Sequence, residues 1–309
     1  MTSKLNHNQR GNGAPIISVV MPVRNGMPYL TEAVSSILQQ RFGNFEFLII
    51  DDGSTDETSE YLRSLADPRV RVIRHEVSRG VAESLNHGIE LAAAPLVARQ
   101  DADDVSAPER FEKQMAWLSA HPEGMVLGSQ VDKIDVTGKV IEHFPRPMTE
   151  PEFRRHFDLC ANPFTHGSVI MPREKIVAAG GYRGRIRCAE DYDLWLRLSG
   201  SVTLANHPET LYRYRVHQQQ ICVRQYQEAS ADCWVSLVMQ MERSCTGEED
   251  SLSLLDDRQL AAIRERRLWK PRGAWARRVQ VLKHYARLVE RDSPRRARLL
   301  KLTLLSGGW

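Results

Sequence analysis

An apolar run, a polar stop and a helical pattern recur through the first hundred or so residues, and this repeat limits the folds open to the chain. Ile16-Ile17-Ser18-Val19-Val20-Met21-Pro22-Val23 is β-rich and halts at Arg24-Asn25-Gly26, as a buried strand running into a turn does. A helix is predicted over residues 27–40, with Leu30, Val34, Ile37 and Leu38 on one side. Phe45-Glu46-Phe47-Leu48-Ile49-Ile50 reads as a second strand, ending in Asp51-Asp52-Gly53-Ser54-Thr55-Asp56. Helices over about 57–66 and 80–93 lead to strands at 70–73 and 96–99, the last opening into Gln100-Asp101-Ala102-Asp103-Asp104. Near-continuous apolar strands alternating with single helices indicate a doubly wound, parallel α/β sheet. Ligands of such sheets sit beyond the carboxyl ends of the strands, where Arg24-Asn25, Asp51-Asp52-Gly53 and Asp101-Ala102-Asp103 stand.

Three carboxylates within four residues repel one another unless a cation or hydrogen-bond donors neutralise them. One reading of Asp101, Asp103 and Asp104 is a hard-oxygen site for Mg²⁺ or Mn²⁺ held against a phosphate. The other is a helix N-cap, with Asp104 or Ser106 starting the helix that Pro108-Glu109-Arg110 opens. Neither a G-x-x-x-x-G-K-[ST] loop nor a strand-linked G-x-G-x-x-G is present.

The second half is less regular. A strand is predicted at 125–135, a short helix after Pro172, a helix at 189–198 and strands at 202–205 and 211–216, with helical, basic sequence after about residue 225. The acidic first turn Glu190-Asp191 suits the positive end of the helix dipole, and Trp195 within Leu194-Trp195-Leu196 reads as core. No apolar run approaches the roughly 18 residues of a membrane span. The polar N-terminus is expected to be a disordered lead-in, and five scattered cysteines without a C-x-x-C pair fit reduced thiols in a cytoplasm rather than zinc.

Net charge is +3, but residues 258–309 hold 15 Lys/Arg against 3 Asp/Glu, a surplus of 12 that leaves −9 on the first 257. Within that basic part Trp275, Val279, Leu282, Ala286 and Val289 recur at helical spacing, with Arg277, Arg278, Lys283, Arg287 and Arg291 mostly off the stripe. Two readings stay open: the helix docks on the preceding α/β domain with its basic face solvated, or that face rests on anionic lipid. No recognised motif supports nucleic-acid binding.

Six segments in order resemble the family 2 glycosyltransferases: Ser18 to Asn25, Ile50 to Asp56, Asp101 to Asp104, Gly180-Gly181-Tyr182, Ala189 to Trp195, and Tyr214-Arg215-Val216-His217. The resemblance spans about residues 15 to 222. It implies a GT-A fold, with a Rossmann-like, mostly parallel central sheet flanked by helices, and an inverting enzyme that uses nucleotide sugars. The expected division is a lead-in at 1–14, a catalytic domain at 15–222 (nucleotide half to about 104, acceptor half beyond) and a basic helical extension at 223–309.

By resemblance, Pro22, Val23, Arg24, Asn25, Asp51 and Asp52 cradle the nucleoside of a nucleotide-diphosphate sugar, UDP-linked in the favoured case. Arg79 joins them less directly, because Ser78 stands where the family often has Asn. Asp101-Ala102-Asp103 corresponds to the D-x-D element; alternation along an extended segment points Asp101 and Asp103 to one side. Asp103 is expected to ligate Mg²⁺ or Mn²⁺, Asp101 to touch the ribose or the metal shell, and His217 to supply a further metal or diphosphate contact. Asp191 resembles the catalytic base, Glu190 its neighbour that tunes it, and Asp193 faces elsewhere, two residues along a helix being about 200° around. His166 lies in a loop with no role assigned. The acceptor implied is a glycan or lipid-linked hydroxyl, the location cytoplasmic with peripheral contact at the inner membrane face. A nucleotidyltransferase and a non-catalytic nucleotide-sugar scaffold are the competing functions; Val23-Arg24-Asn25-Gly26 is a poor version of the loop the former needs.

Overall fold

The computed structural model describes residues 14–121, 124–220, 226–246, 252 and 255–265. The lead-in before Ala14, Cys222 and the basic stripe from Trp275 to Arg291 lie outside the described residues. Two compact units are present: one of residues 1–148, 164–181 and 202–217, the other of 149–163, 182–201 and 218–309.

The first unit is organised on β1 (Ile17–Val23), whose seven residues are all buried. The chain continues through α1 (Leu30–Leu38), β2 (Phe45–Asp52), α2 (Thr58–Ser64), β3 (Val70–His75), α3 (Val81–Leu91) and β4 (Leu96–Arg99). These four strands form a parallel block in the order β3-β2-β1-β4. Strand order therefore reverses beside β1, and in an open α/β sheet that reversal leaves a crevice at the strands' carboxyl ends. Parallel strands covered on both faces bury nearly every side chain, which is why the apolar runs of β1, β2 and β4 read so plainly, whereas the edge strand β3 is largely exposed. Val19, Met21, Val34, Ile37, Phe47, Ile49 and Phe111 belong to the resulting core.

Next come β5 (Val105–Ser106), α4 (Arg110–Ala120), β6 (Met125–Ile134), β7 (Val140–Phe144), α5 (Glu150–Asp158), a 3₁₀ turn (His166–Ser168), β8 (Ile170–Pro172), α6 (Arg173–Ala178), α7 (Glu190–Leu198), β9 (Thr203–Arg215), α8 (Tyr226–Thr246) and α9 (Asp257–Glu265). The sheet extends from β4 through antiparallel β8 and β6 to β9, which lies parallel to β6 and antiparallel to β5. Two separate strands are predicted at 202–205 and 211–216, whereas β9 is one strand of 13 residues. The gap between the two predicted strands contains Pro208, which lacks a ladder donor. The strand absorbs that residue in an irregularity: Ser129 pairs with His207 and Gln130 with Thr210, so Pro208 and Glu209 stand outside the register.

In the second unit α7 buries Tyr192, Leu194, Trp195, Leu196 and Leu198. The buried Asp232 of α8 accepts the backbone N–H groups of Arg187 (2.7 Å) and Cys188 (3.2 Å), holding the segment that leads into α7. Cys160, Cys188 and Cys233 are reduced thiols. Among the described residues no helix is long and apolar enough to cross a membrane.

The crossover of α3 onto β1 depends on Gly88, where an added Cβ would stand 2.5 Å from Val20 Cγ1. Val20 is a stiff, fully buried strand residue and overpacking costs about 1–3 kcal/mol, while helix propensity returns up to about 1 kcal/mol. Gly88→Ala is therefore expected to lower stability, net, by about 1 kcal/mol; a urea midpoint at or above wild type contradicts this packing.

Candidate active site

The loops beyond β1 and β2 are built as one piece. Asn25 sits in the left-handed region at φ 52°, a conformation its short amide tolerates. Its N–H donates to Ser54 Oγ (3.0 Å) and its Oδ1 accepts the Thr55 N–H (2.8 Å), while Gly26 N–H reaches Thr58 Oγ1 (2.8 Å). Ser54 and Thr55 of the Asp-Asp-Gly-Ser-Thr-Asp stretch, with Thr58 at the start of α2, thus hold the turn that follows β1. Pro22 and Val23 are buried, in register with Ile50 and Asp51; Arg24 is exposed and donates to Ser78 Oγ at 3.3 Å.

Asp51 and Asp52 direct their oxygens into the protein. Asp51 is buried and accepts the Ser54 N–H (2.9 Å), Ser59 Oγ (2.6 Å) and an Arg74 N–H (3.4 Å). Asp52 accepts the N–H groups of Arg79 (2.8 Å) and Gly80 (2.9 Å) and the Ser78 hydroxyl (2.7 Å), and His75 Nδ1 lies at 2.9 Å. Burial pushes the Asp52 carboxyl up, but the bonds from Arg79, His75, Ser78 and Gly80 outweigh it and hold the pKa at about 2. Asp52 therefore anchors the loop that carries Arg79 and enters α3, with Gly80 at φ 90° as the hinge. His75 Nε2 extends the contact to His87 Nδ1 at 2.9 Å.

The acidic cluster beyond β4 is a turn rather than the extended segment expected, since Asp104 N–H approaches the Asp101 carbonyl at 3.5 Å. Side-chain alternation does not apply there, and the two carboxylates, 29% and 30% exposed, have different partners. Asp101 pairs with the Arg99 guanidinium at 2.7 Å, and burial raises its carboxyl pKa against that arginine's pull. Asp103 Oδ2 meets His217 Nε2 at 2.9 Å. Ala102 packs on the core between them. Gly167 presses on the same turn: a Cβ there would stand 1.8 Å from the Tyr212 hydroxyl and 2.7 Å from Asp101 Oδ2.

Neither Asp104 nor Ser106 is a helix cap. The residue preceding α4 is Glu109, which makes no side-chain cap. Asp104 is buried and accepts the Arg215 N–H at 2.8 Å; burial, then Asp103 and Asp101, push its carboxyl well above the usual range. Ser106 donates to Gln100 Oε1 at 2.7 Å and accepts from Arg110 at 2.8 Å. Arg110 and Arg215 were not among the expected site residues. The fully buried Arg110 donates to the carbonyls of Arg99 (3.0 Å) and Val169 (3.1 Å) between the rings of Phe111 and Tyr212. Burial lowers its pKa to about 10, so it remains a cation behind the turn. Burial, and then the Arg99 charge, push the His166 pKa well below the usual imidazole range.

Asp103 and His217 present one carboxylate oxygen and one imidazole nitrogen within 2.9 Å. Among the described residues no group of three or more His, Cys, Asp or Glu side chains is gathered for a metal. A two-residue O/N set fits Mg²⁺ or Mn²⁺ bound chiefly through substrate phosphates and water.

In the second unit Glu190 and Asp191 are half-buried in the first turn of α7. Asp191 accepts the Tyr192 N–H (2.7 Å) and a bond from Asn162 Nδ2. The Tyr192 hydroxyl donates to the Phe157 carbonyl at 2.7 Å, fixing the turn from below. Asp193 faces away and is buried against Arg197 (2.8 Å) and Arg183 (3.6 Å), and Trp195 is core.

The Asp52 geometry makes a pH prediction. A carboxylate whose folded pKa lies below its unfolded value of about 3.9 contributes stability above that value and loses it as pH falls toward the folded pKa. Wild type is expected to lose melting temperature between about pH 4 and 2 in part through Asp52. Asp52→Asn should be less stable at pH 7 and show a shallower loss across that window; parallel Tm–pH curves contradict the role.

Residues 18–180 match glycosyl transferase family 2. The putative glycosyltransferase EpsE of Bacillus subtilis is 34% identical over 214 residues, which cover 66% of this chain and 74% of that protein. The amylovoran biosynthesis glycosyltransferase AmsE of Erwinia amylovora is 34% identical over 194 residues, 60% of this chain and 70% of its own. Among solved structures, S. aureus TarS 1–349 in complex with UDP superposes with a TM-score of 0.57 at 18% identity, covering 95% of this chain and 92% of that one. The mannosyltransferase PcManGT of Pyrobaculum calidifontis, in complex with GDP-Man and Mn²⁺, gives 0.56 at 17% identity, covering 96% and 89%. Parallel block and mixed second half are those of the GT-A fold, and the chain belongs to glycosyltransferase family 2.

Proposed function

We propose that the protein transfers one sugar from a nucleotide-diphosphate sugar, a UDP-sugar in the favoured case, to a hydroxyl of a growing surface polysaccharide or lipid-linked glycan, with inversion at the anomeric carbon. The observation that carries this reading is the Asp103–His217 pair, joined across 114 residues of sequence beyond the ends of β4 and β9. The fold likeness to proteins in complex with UDP or with GDP-Man and Mn²⁺ supports it, and the likeness to an amylovoran biosynthesis enzyme supports a polysaccharide acceptor.

In this reading Asp51 and Asp52 act by shaping the loops that present Arg24, Asn25 and Arg79 to the nucleotide. Asp101 orients the ribose or the metal shell, held in place by Arg99. Asp103 and His217 hold Mg²⁺ or Mn²⁺, which when bound supplies positive charge to the departing diphosphate. Asp191 removes the acceptor proton: a carboxylate is base enough because the hydroxyl becomes acidic only as the new C–O bond forms. The Tyr192 N–H and the Asn162 amide fix the orientation of its two oxygens, and Glu190 beside it tunes the base.

Thermal-shift titration of UDP, GDP and their sugars with and without Mn²⁺ tests the donor and metal assignments together. A nucleotide-sugar that raises Tm only with Mn²⁺ is the expected result, and its product should show the inverted anomeric configuration by NMR. Asp191→Asn is expected to keep the donor-induced Tm shift and lower turnover by about 10²–10⁴-fold. Unchanged turnover would remove Asp191 as base.

A further inference from the structure

Two residues before His217, at the last position of β9, Arg215 is buried to 1% although its carboxylate partner Glu32 is 55% exposed. A surface ion pair does not require that burial, because a guanidinium reaching an exposed carboxylate can stay in water. The side chain is drawn inward by other partners. Its Nε donates to the Asp103 carbonyl at 2.8 Å and one terminal nitrogen to the Asp135 carbonyl at 3.0 Å; the other terminal nitrogen takes Glu32. The guanidinium carbon lies 4.8 Å from the centroid of the Tyr29 ring, and the same ring packs on the His217 imidazole at 4.9 Å. The backbone N–H of Arg215 donates to Asp104 at 2.8 Å. One residue thus grips the main chain of Asp103, the side chain of Asp104 and the aromatic ring that supports His217.

We propose that Arg215 is a positioning residue that sets the separation of the Asp103 carboxylate and the His217 imidazole, and so the affinity of that pair for a divalent cation with its nucleoside diphosphate. The inference rests on the reading of Asp103 and His217 as the cation-holding pair. The fork geometry is what the role needs. A planar guanidinium satisfies two carbonyls and a carboxylate at fixed angles, whereas a lysine ammonium on the same stem cannot hold all three. Groups that orient metal ligands from behind typically change metal affinity by about 10–100-fold when lost.

The experiment measures Mn²⁺ affinity in the presence of UDP, by EPR of free Mn²⁺ and by calorimetry, for wild type, Arg215→Lys and Arg215→Gln. Circular dichroism confirms that each variant is folded at the temperature used. The expected result is a Kd raised about 10–100-fold in both variants, with donor KM rising and acceptor KM unchanged. A merely structural arginine would lower Tm and leave the Kd of the folded protein where it was, and that outcome overturns the proposal. Should the Arg215 variants not fold, the double variant Tyr29→Leu/Glu32→Gln removes the outer supports of the same guanidinium; a wild-type Kd there overturns it equally. Wild-type protein that takes up no Mn²⁺ with UDP overturns the cation-site reading, and this inference with it, a result distinct from equal affinities in wild type and variant.

Discussion

Three acidic side chains crowd the turn after β4, and the answers to their mutual repulsion organise the first unit. Two unit charges about 5 Å apart oppose each other by roughly 3 kcal/mol at an effective dielectric near 20, more than one neutral hydrogen bond returns. Each carboxylate has a different answer. Asp101 has the Arg99 guanidinium. Asp104 is buried, takes a backbone N–H from Arg215 and is pushed toward its protonated form. Asp103 meets an imidazole, a partner that can also share a cation with it. The turn is therefore graded from arginine pair through imidazole pair to buried acid, and of the three only Asp103 meets a side chain of a type that ligates metals.

The same distinction separates the two acidic stretches of the sheet. Asp51 and Asp52 looked equivalent to Asp101 and Asp103 in sequence, each being an acidic pair abutting an apolar run. Spatially they differ in what reaches them. Loop N–H and hydroxyl groups converge on Asp51 and Asp52 and lower the Asp52 pKa to about 2, so those carboxylates are fastened into the loops they support. Ser54 and Ser59, at separations of 3 and 8 residues, donate to Asp51, and the Asp52 partners come from the end of the adjacent strand β3 and the loop after it, at separations of 23 to 28. His217 instead comes from the far end of β9, and no local spacing announces it.

That difference explains how much of the molecule was legible in sequence. Strands β1, β2 and β4 were readable because a parallel strand buried on both faces leaves a continuous apolar run, and their core residues lie where that run places them, while the exposed edge strand β3 was read from its β-branched residues. The second half was less so. The order β4-β8-β6-β9 depends on pairings between distant segments, and the irregularity at Pro208 made one strand look like two. The acidic turn was found but its geometry was misjudged, because alternation presumes an extended backbone that Asp101 to Asp104 do not have. Arg110 and Arg215 were missed for a plainer reason. Arginine is almost never fully buried unless paired, so in sequence both read as surface charge.

Those two arginines show what an acidic strand-end site requires of the scaffold behind it. Arg110 is a buried cation whose hydrogen bonds go to serine, glutamine and main-chain carbonyls, and its charge raises no lone ion pair of its own. It offsets instead the field of Asp101. Arg215 likewise uses main-chain carbonyls of two turns, at Asp103 and Asp135, as well as the Glu32 carboxylate. Arg110, bonded to neutral groups alone, keeps its charge unneutralised at close range, and in a water-poor interior that charge acts over several ångströms. Positive charge is thus built into the fold behind the turn while its front keeps two part-exposed carboxylates. That arrangement lets three acidic groups cluster at the end of a buried strand with only Asp101 taken up by an arginine of its own strand.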